Sequence, residues 1–168
     1  NGRTGRALLH AMLRSKGLLQ NATVPISAGL LADTSRYFAS LTAYQRGDPE
    51  DIVVLVGEAA FRGVSEAHWL MSAVEELLGG WRETLTARQD ALSRAVLEEL
   101  PRQPVLSVSA VEQRFEASNT AARRALEQLE AAGIIHEFTG RKRSRLWVAT
   151  EITDLLDQFA LRAVRRTL

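Results

Sequence analysis

The sequence has 168 residues, of which 46% are hydrophobic and 24% are charged, so it can form one ordinary hydrophobic core or two small ones. Because it contains no cysteine, it excludes a disulfide framework and a thiolate metal site. It also contains no run of about 18 apolar residues, so we expect a cytoplasmic protein with no membrane partner.

The net charge of +1 combines blocks of opposite sign. Residues 1–47 carry +5 (6 basic, 1 acidic), residues 48–100 carry −7 (4 basic, 11 acidic) and residues 101–149 carry +3 (8 basic, 5 acidic). The two basic blocks are candidate anion-binding surfaces, whereas the acidic block is typical of a solvated helical face.

The first six residues read N-G-R-T-G-R and run directly into an apolar helix over residues 7–13. A helix start carries unpaired backbone N–H groups and a partial positive charge, so it favours anions. Arg3 and Arg6 are three residues apart and share a helical face, and each guanidinium can bind two phosphate oxygens. The spacing therefore indicates a phosphate site, and the plainer alternative is a solvated helix start.

Two shorter helices are predicted after Gly17, which ends the first helix. The residues around Pro25 begin a helix near 27–32, and the Thr34-Ser35 pair caps another from about 35 to 46. We expect apolar contacts within this segment from the following side chains: Leu31, Tyr37, Phe38 and Leu41.

A long helix is predicted from Ile52 to Leu78, where apolar residues recur at helical spacing. Gly79-Gly80 is expected to break it, and residues 81–100 resume helical periodicity before two prolines. The histidines have no second ligand at metal-binding spacing, so we expect packed or surface histidines and no metal site in this chain. They are His10, His68 and His136.

Residues 107–148 predict a helix, a turn, a second helix and a basic hairpin. Ser107 caps a helix that extends to Phe115, and Ser118 caps a helix that extends to Ala132. Residues 134–138 and 145–148 are predicted as strands. The final residues, 150–168, form an amphipathic helix whose apolar side needs a partner, either the preceding elements or a second copy.

This order of elements resembles a winged helix-turn-helix, the module of many DNA-binding regulators. The resemblance implies that the exposed start of the second helix contacts base edges and that the hairpin contacts phosphates. The residues implied for DNA are Asn119, Thr120 and Arg123 on the helix and Arg141, Lys142, Arg143 and Arg145 on the hairpin. We expect Glu127 and Gln128 on the same exposed side. An acid at Glu127 and a non-glycine residue at Glu116 in the turn favour the alternative, a docking or dimerisation module.

The opening residues resemble the second half of the Fic-family signature, H-x-F-x-[D/E]-G-N-G-R-x-x-R. Its last four fixed positions are matched by Asn1, Gly2, Arg3 and Arg6. The resemblance continues through a P-x-S sequence at residues 25–27, an aromatic pair and a G-D turn at residues 47–48.

By this resemblance, the intact protein would transfer AMP from ATP, with Mg²⁺, to a Ser, Thr or Tyr hydroxyl of a target protein. Some family members transfer other phosphate-containing groups. Asn1 and the Gly2 backbone would hold the α-phosphate, and Arg3 and Arg6 would neutralise the outer phosphates.

Three further residues join the implied nucleotide site: Gly5, Phe38 and Gln45, the last two near the base. The family's catalytic histidine and metal-binding acid would lie upstream of Asn1. We therefore expect a fragment that is inactive by itself and binds no cofactor tightly.

The expected fold is mainly α: the back half of an all-helical Fic domain and a winged helix-turn-helix with a small β-hairpin wing. The expected domains are residues 1–80 (C-terminal part of a Fic domain), 81–91 (helical linker), 92–149 (winged helix) and 150–168 (C-terminal helix). A homodimer is expected. The competing hypothesis is a transcriptional regulator or docking module without catalysis.

Overall fold

The computed structural model describes residues 2–19, 23–85, 91–140 and 144–165, with the backbone alone for Gly2, Arg6 and residues 163–165. The protein is mainly helical, which confirms the predicted class. The elements in chain order are α1 (Gly2–Ser15), α2 (Ile26–Leu30), a 3₁₀ turn (Leu31–Asp33), α3 (Thr34–Gln45), α4 (Glu50–Thr84), α5 (Ala91–Glu99), β1 (Val105–Leu106), α6 (Val108–Phe115), α7 (Asn119–Ala131), β2 (His136–Glu137), β3 (Trp147–Val148) and α8 (Thr150–Arg165).

Contacts divide the chain into two compact units. Unit 1 contains Asn1–His68 together with Phe159–Leu168, and unit 2 contains Trp69–Gln158. The domain limits predicted from sequence follow residue patterns instead of contacts, and they stay predictions.

Unit 1 has a small core between α2 and α4, formed by Ile26, Leu30, Leu55 and Ala59. The two helices approach so closely at Gly29 that a methyl group there would lie 2.6 Å from the carbonyl carbon of Ala59. Glycine is therefore required on the α2 side of this contact.

A second close approach in unit 1 involves Gly63 on α4, where an added methyl group would lie 2.7 Å from the carbonyl oxygen of Pro25. The two glycines Gly29 and Gly63 thus allow α4 to pack directly on the backbone of the α2 segment.

Arg36 on α3 connects that helix to α4. Its guanidinium contacts Asp51 at 2.9 Å and Glu58 at 2.8 Å. The buried Ser40 hydroxyl also donates to Asp51, and this hydrogen bond, followed by the hydrogen bond and charge of Arg36, lowers the pKa of that carboxyl. The helix cap is Asp33, whose carboxylate accepts the Arg36 backbone N–H at 2.9 Å, and not the predicted Thr34-Ser35 pair.

The predicted break at Gly79-Gly80 is wrong, because α4 continues to Thr84. Leu78 and Trp81 flank the glycines and are 5% and 6% exposed, and burial of such side chains contributes more than the roughly 1 kcal/mol that each glycine costs. The Trp81 indole N–H also donates to Glu151 at 3.0 Å.

Unit 2 packs α5, α6, α7 and a small sheet around one core. The strands are ordered β1-β3-β2, and both pairings are antiparallel, with Leu106 and Glu137 opposite Trp147. The strands β2 and β3 are shorter than predicted, and β1 was not predicted because a two-residue strand carries no periodicity. Trp147 is 1% exposed and fills the centre of this core.

Candidate functional site

The first candidate site is the start of α1. The helix begins at Gly2, so the N–H groups of its first turn have no partner inside the helix. Arg3, Thr4 and Gly5 are exposed, and a methyl group at Gly5 would contact nothing within 4 Å. The start of α1 is therefore open, and Arg3 adds a positive charge beside its amides. Asn1 and the Arg6 side chain lie outside the described residues.

A cavity of about 540 Å³ runs along the same helix, lined mainly by Ala7, His10, Ala11 and Arg14. The Nδ1 atom of His10 is buried and has no hydrogen-bond partner among the described residues. His10 is thus partly buried along this cavity.

The residues predicted to lie near a nucleotide base are both on α3. Phe38 is 65% exposed and contacts Tyr37 with ring centroids 5.6 Å apart, while Gln45 is exposed at the end of the helix. Two turns separate Phe38 from Gln45, so they lie on one face of α3. Tyr37 packs against the unit 1 core that Leu9 of α1 also contacts. The structure thus brings α1 and α3 to one core, with Phe38 directed to solvent.

The second candidate site is built on α6 and α7. Ser107 caps α6 by accepting the Ala110 N–H at 3.1 Å, and Ser118 caps α7 by accepting the Ala121 N–H at 3.3 Å, as predicted. Between them, Glu116 adopts a left-handed conformation with φ of 51°. The turn therefore contains a left-handed residue, a conformation that glycine adopts most readily, and in this chain glutamate occupies that position.

The exposed side of α7 carries Asn119, Thr120, Arg123 and Glu127. This orientation follows from the buried stripe of Ala122, Ala125, Leu126 and Leu129 on the opposite side. The expectation for Gln128 is wrong: it is half-buried, and its side-chain carbonyl accepts the hydroxyl of the buried Ser93.

The hairpin after α7 is organised by one carboxylate. Glu137 accepts the backbone N–H groups of Thr139 at 2.9 Å and Gly140 at 3.0 Å, and it also accepts the Thr139 hydroxyl. These contacts, the hydroxyl first, lower the pKa of Glu137, and the nearby charge of Arg145 adds to them. The predicted contacts Arg141, Lys142 and Arg143 lie outside the described residues.

A cleft of about 480 Å³ opens between the starts of α6 and α7 and the end of the hairpin. It brings together three predicted residues, Asn119, Arg123 and Arg145, but not Thr120. Ser109 and Glu112 of α6 also line it. Sequence reasoning missed both because it assigned α6 a structural role only, although its cap at Ser107 marked the adjacent helix start.

The cleft combines two cationic side chains, one amide and two helix starts, a set that suits an oxyanion such as phosphate. Glu112 is the single acid among its lining residues that the structure describes, so the cleft is cationic in balance. In the described part of the chain, no helix has the length and apolar character needed to cross a membrane, and no three acidic or histidine side chains converge as metal ligands.

No family model matches this chain, and no curated protein matches it.

Proposed function

We propose that this chain is the C-terminal part of a Fic-family protein, whose intact form transfers AMP from ATP to a hydroxyl of a target protein. The observation that carries the proposal is the N-G-R-T-G-R sequence at the start of α1, which coincides with the open end of that helix. A phosphate chain fits this position because the first turn presents unpaired amides and the exposed Arg3 adds positive charge beside them.

Each matched residue has a separate role in the proposal. Asn1 and the Gly2 amide hold the α-phosphate, which the target's hydroxyl attacks and from which pyrophosphate leaves with the developing negative charge. Arg3 and Arg6 neutralise the outer phosphates. Gly5 contributes open space, and an added methyl group there would meet nothing within 4 Å.

The exposed ring of Phe38 and the amide of Gln45 are proposed to lie beside the base of the nucleotide. ATP would supply the transferred group and Mg²⁺ would balance phosphate charge. The carboxylate for the metal and the histidine that accepts the target's proton belong to the first half of the signature, upstream of Asn1.

Labelling with ATP and Mg²⁺ tests these roles in the longer protein. Replacing Asn1 or Arg6 by alanine should lower the labelling of the target at least about tenfold, as expected for loss of a phosphate-stabilising donor. Arg14→Ala is the matched control, because this exposed arginine lies on the same helix about 12 Å beyond Arg6. If all three variants label the target equally, the motif is a solvated helix start and not a phosphate site. The present chain alone should label nothing.

We further propose that unit 2 contains a winged helix that binds DNA, with α7 as the reading helix. The observation that favours it is the cleft in which Asn119, Arg123 and Arg145 meet. The order of elements, with β1 between α5 and α6 and the sheet order β1-β3-β2, supports the same assignment.

Salt dependence separates the predicted phosphate contacts from the base contacts. Replacing Arg141, Lys142 and Arg143 together by alanine should flatten the slope of log affinity against log salt by up to about 3 units. Arg123→Ala should instead weaken preferred sequences more than random ones. Arg102→Ala serves as the control, since its side chain is 77% exposed and lies outside the cleft. If low-salt titrations at micromolar protein detect no binding, unit 2 is a docking module instead.

A further inference from the structure

An exposed apolar face runs along the part of α4 that belongs to unit 1. Phe61 is 82% exposed, Val53 68%, Val54 47% and Val64 37%. Together with Gly57, these residues recur at spacings of three and four, so they lie on one side of the helix, opposite the buried core side that includes Leu55. The face also contains Gly57, one turn before Phe61.

No contact among the described residues requires glycine at Gly57. A glycine in the middle of a helix costs about 1 kcal/mol relative to alanine, and a close contact with another element is one structural reason for it. Gly63 has such a reason, since a methyl group there would strike Pro25. A methyl group at Gly57 would contact nothing within 4 Å. Its missing side chain therefore leaves a gap on the surface of α4 that nothing else in the described chain uses.

We propose that two copies of this chain associate through this face of α4, in antiparallel orientation, with Phe61 of each copy seated over Gly57 of the other. A two-fold axis through the level of Ala59 exchanges these two positions, so one contact is made twice. A parallel pair would instead set ring against ring and gap against gap. The antiparallel arrangement therefore places the exposed Phe61 ring over Gly57, the one glycine on the described part of this face.

The other residues of the face suit the same axis. Val54 and Val64 lie equally far from Ala59 on either side, so Val54 of one copy lies opposite Val64 of the other copy. Glu50 and His68 also lie symmetrically about Ala59, which sets a carboxylate opposite an imidazole at each end. Glu58, at the edge of the face, is paired with Arg36 of its own chain at 2.8 Å, which reduces repulsion between the copies.

The size of the face sets the expected strength. A buried phenylalanine contributes on the order of 150–250 Å², and one helix pair covers less than the roughly 800 Å² per partner of standard interfaces. The association should therefore be weak, with a dissociation constant in the micromolar range, and it should depend on concentration.

Sedimentation equilibrium of the full 168-residue chain, from about 1 to about 300 µM, is the first measurement. The wild type should pass from monomer to dimer over this range. Phe61→Asp and Gly57→Leu should each raise the dissociation constant at least about tenfold, the second because leucine fills the gap. Gly80→Leu is the matched control, because Gly80 is also open within α4 but lies outside this face.

Gly57→Leu also guards against a folding artefact, since leucine favours helix and its thermal unfolding should be no lower than that of the wild type. The absence of cysteine allows a geometric test: a mixture of Val54→Cys and Val64→Cys chains should cross-link more than either variant alone. If the chain is monomeric at every concentration, the proposal is overturned, and the face would then be covered by another part of the polypeptide or by a different protein. Dimers unaffected by both variants, or more cross-linking within each variant than in the mixture, would overturn it equally.

Discussion

Glu130 joins α7 to the sheet of unit 2, and its removal should weaken the whole unit. One carboxylate oxygen accepts the indole N–H of Trp147 at 3.1 Å, and the other accepts the backbone N–H of Glu137 at 3.2 Å. Glu130→Ala leaves both donors without this acceptor. A buried donor left unpaired costs about 1–3 kcal/mol, and water can replace the acceptor more easily at half-buried Glu137 than at Trp147. The expected loss in unfolding free energy is therefore about 2–4 kcal/mol.

Urea unfolding followed by tryptophan fluorescence and circular dichroism measures this loss. Glu130→Gln retains one acceptor oxygen, so it should lose about half as much free energy. Glu127→Ala, one turn earlier on the exposed side of α7, removes the same charge and should change stability by no more than about 0.5 kcal/mol. Equal midpoints for Glu130→Ala and Glu127→Ala would refute the reasoning that this carboxylate holds the sheet to the helix.

Two further predictions concern unit 1 packing and the hairpin. Gly29→Ala should lower the unfolding temperature markedly, because its methyl group would overlap the backbone of Ala59. The control is Gly79→Ala, which lies in open space within α4. In thermal unfolding experiments this control should be neutral or stabilising by up to about 1 kcal/mol. The hydroxyl of Thr139 lowers the folded-state pKa of Glu137. The ionised Glu137 therefore stabilises the folded state at neutral pH, and this stabilisation is lost as the pH falls below about 4.5 and through the lowered pKa. The stability advantage of wild type over Glu137→Gln should therefore narrow on acidification, and a constant difference between pH 6 and 3 would contradict this assignment.

Local chemistry predicted much of the helical structure. The serine caps at Ser107 and Ser118 act as predicted, because an N-cap is decided by a side chain and an amide only three residues away. The break at Gly79-Gly80 was wrong because the decision there depends on distant partners in the core, and local propensity cannot include their burial.

The candidate sites differ in the same way. The α7 residues Asn119 and Arg123 were predicted to be exposed, and the structure places them together with Arg145. Helical periodicity was enough to predict that these side chains are exposed. Their position beside Arg145 depends on how the hairpin is held, which includes pairing between residues far apart in sequence, such as Leu106 and Trp147. Phe61 was not singled out by sequence, because its apolar character at helical spacing is equally typical of a buried position.

The division of the chain also determines the order in which its parts can be completed during synthesis. The polypeptide leaves unit 1 after His68 and returns to it only at Phe159. Glu66, 3% exposed in unit 1, forms an ion pair with Arg162 at 2.6 Å, and that pair can form only after the last helix has left the ribosome. Unit 2 is continuous in sequence, so it can finish folding while unit 1 still awaits its closing segment. A ribosome that stops shortly before Phe159 would therefore release a chain with one unit finished and the other permanently incomplete.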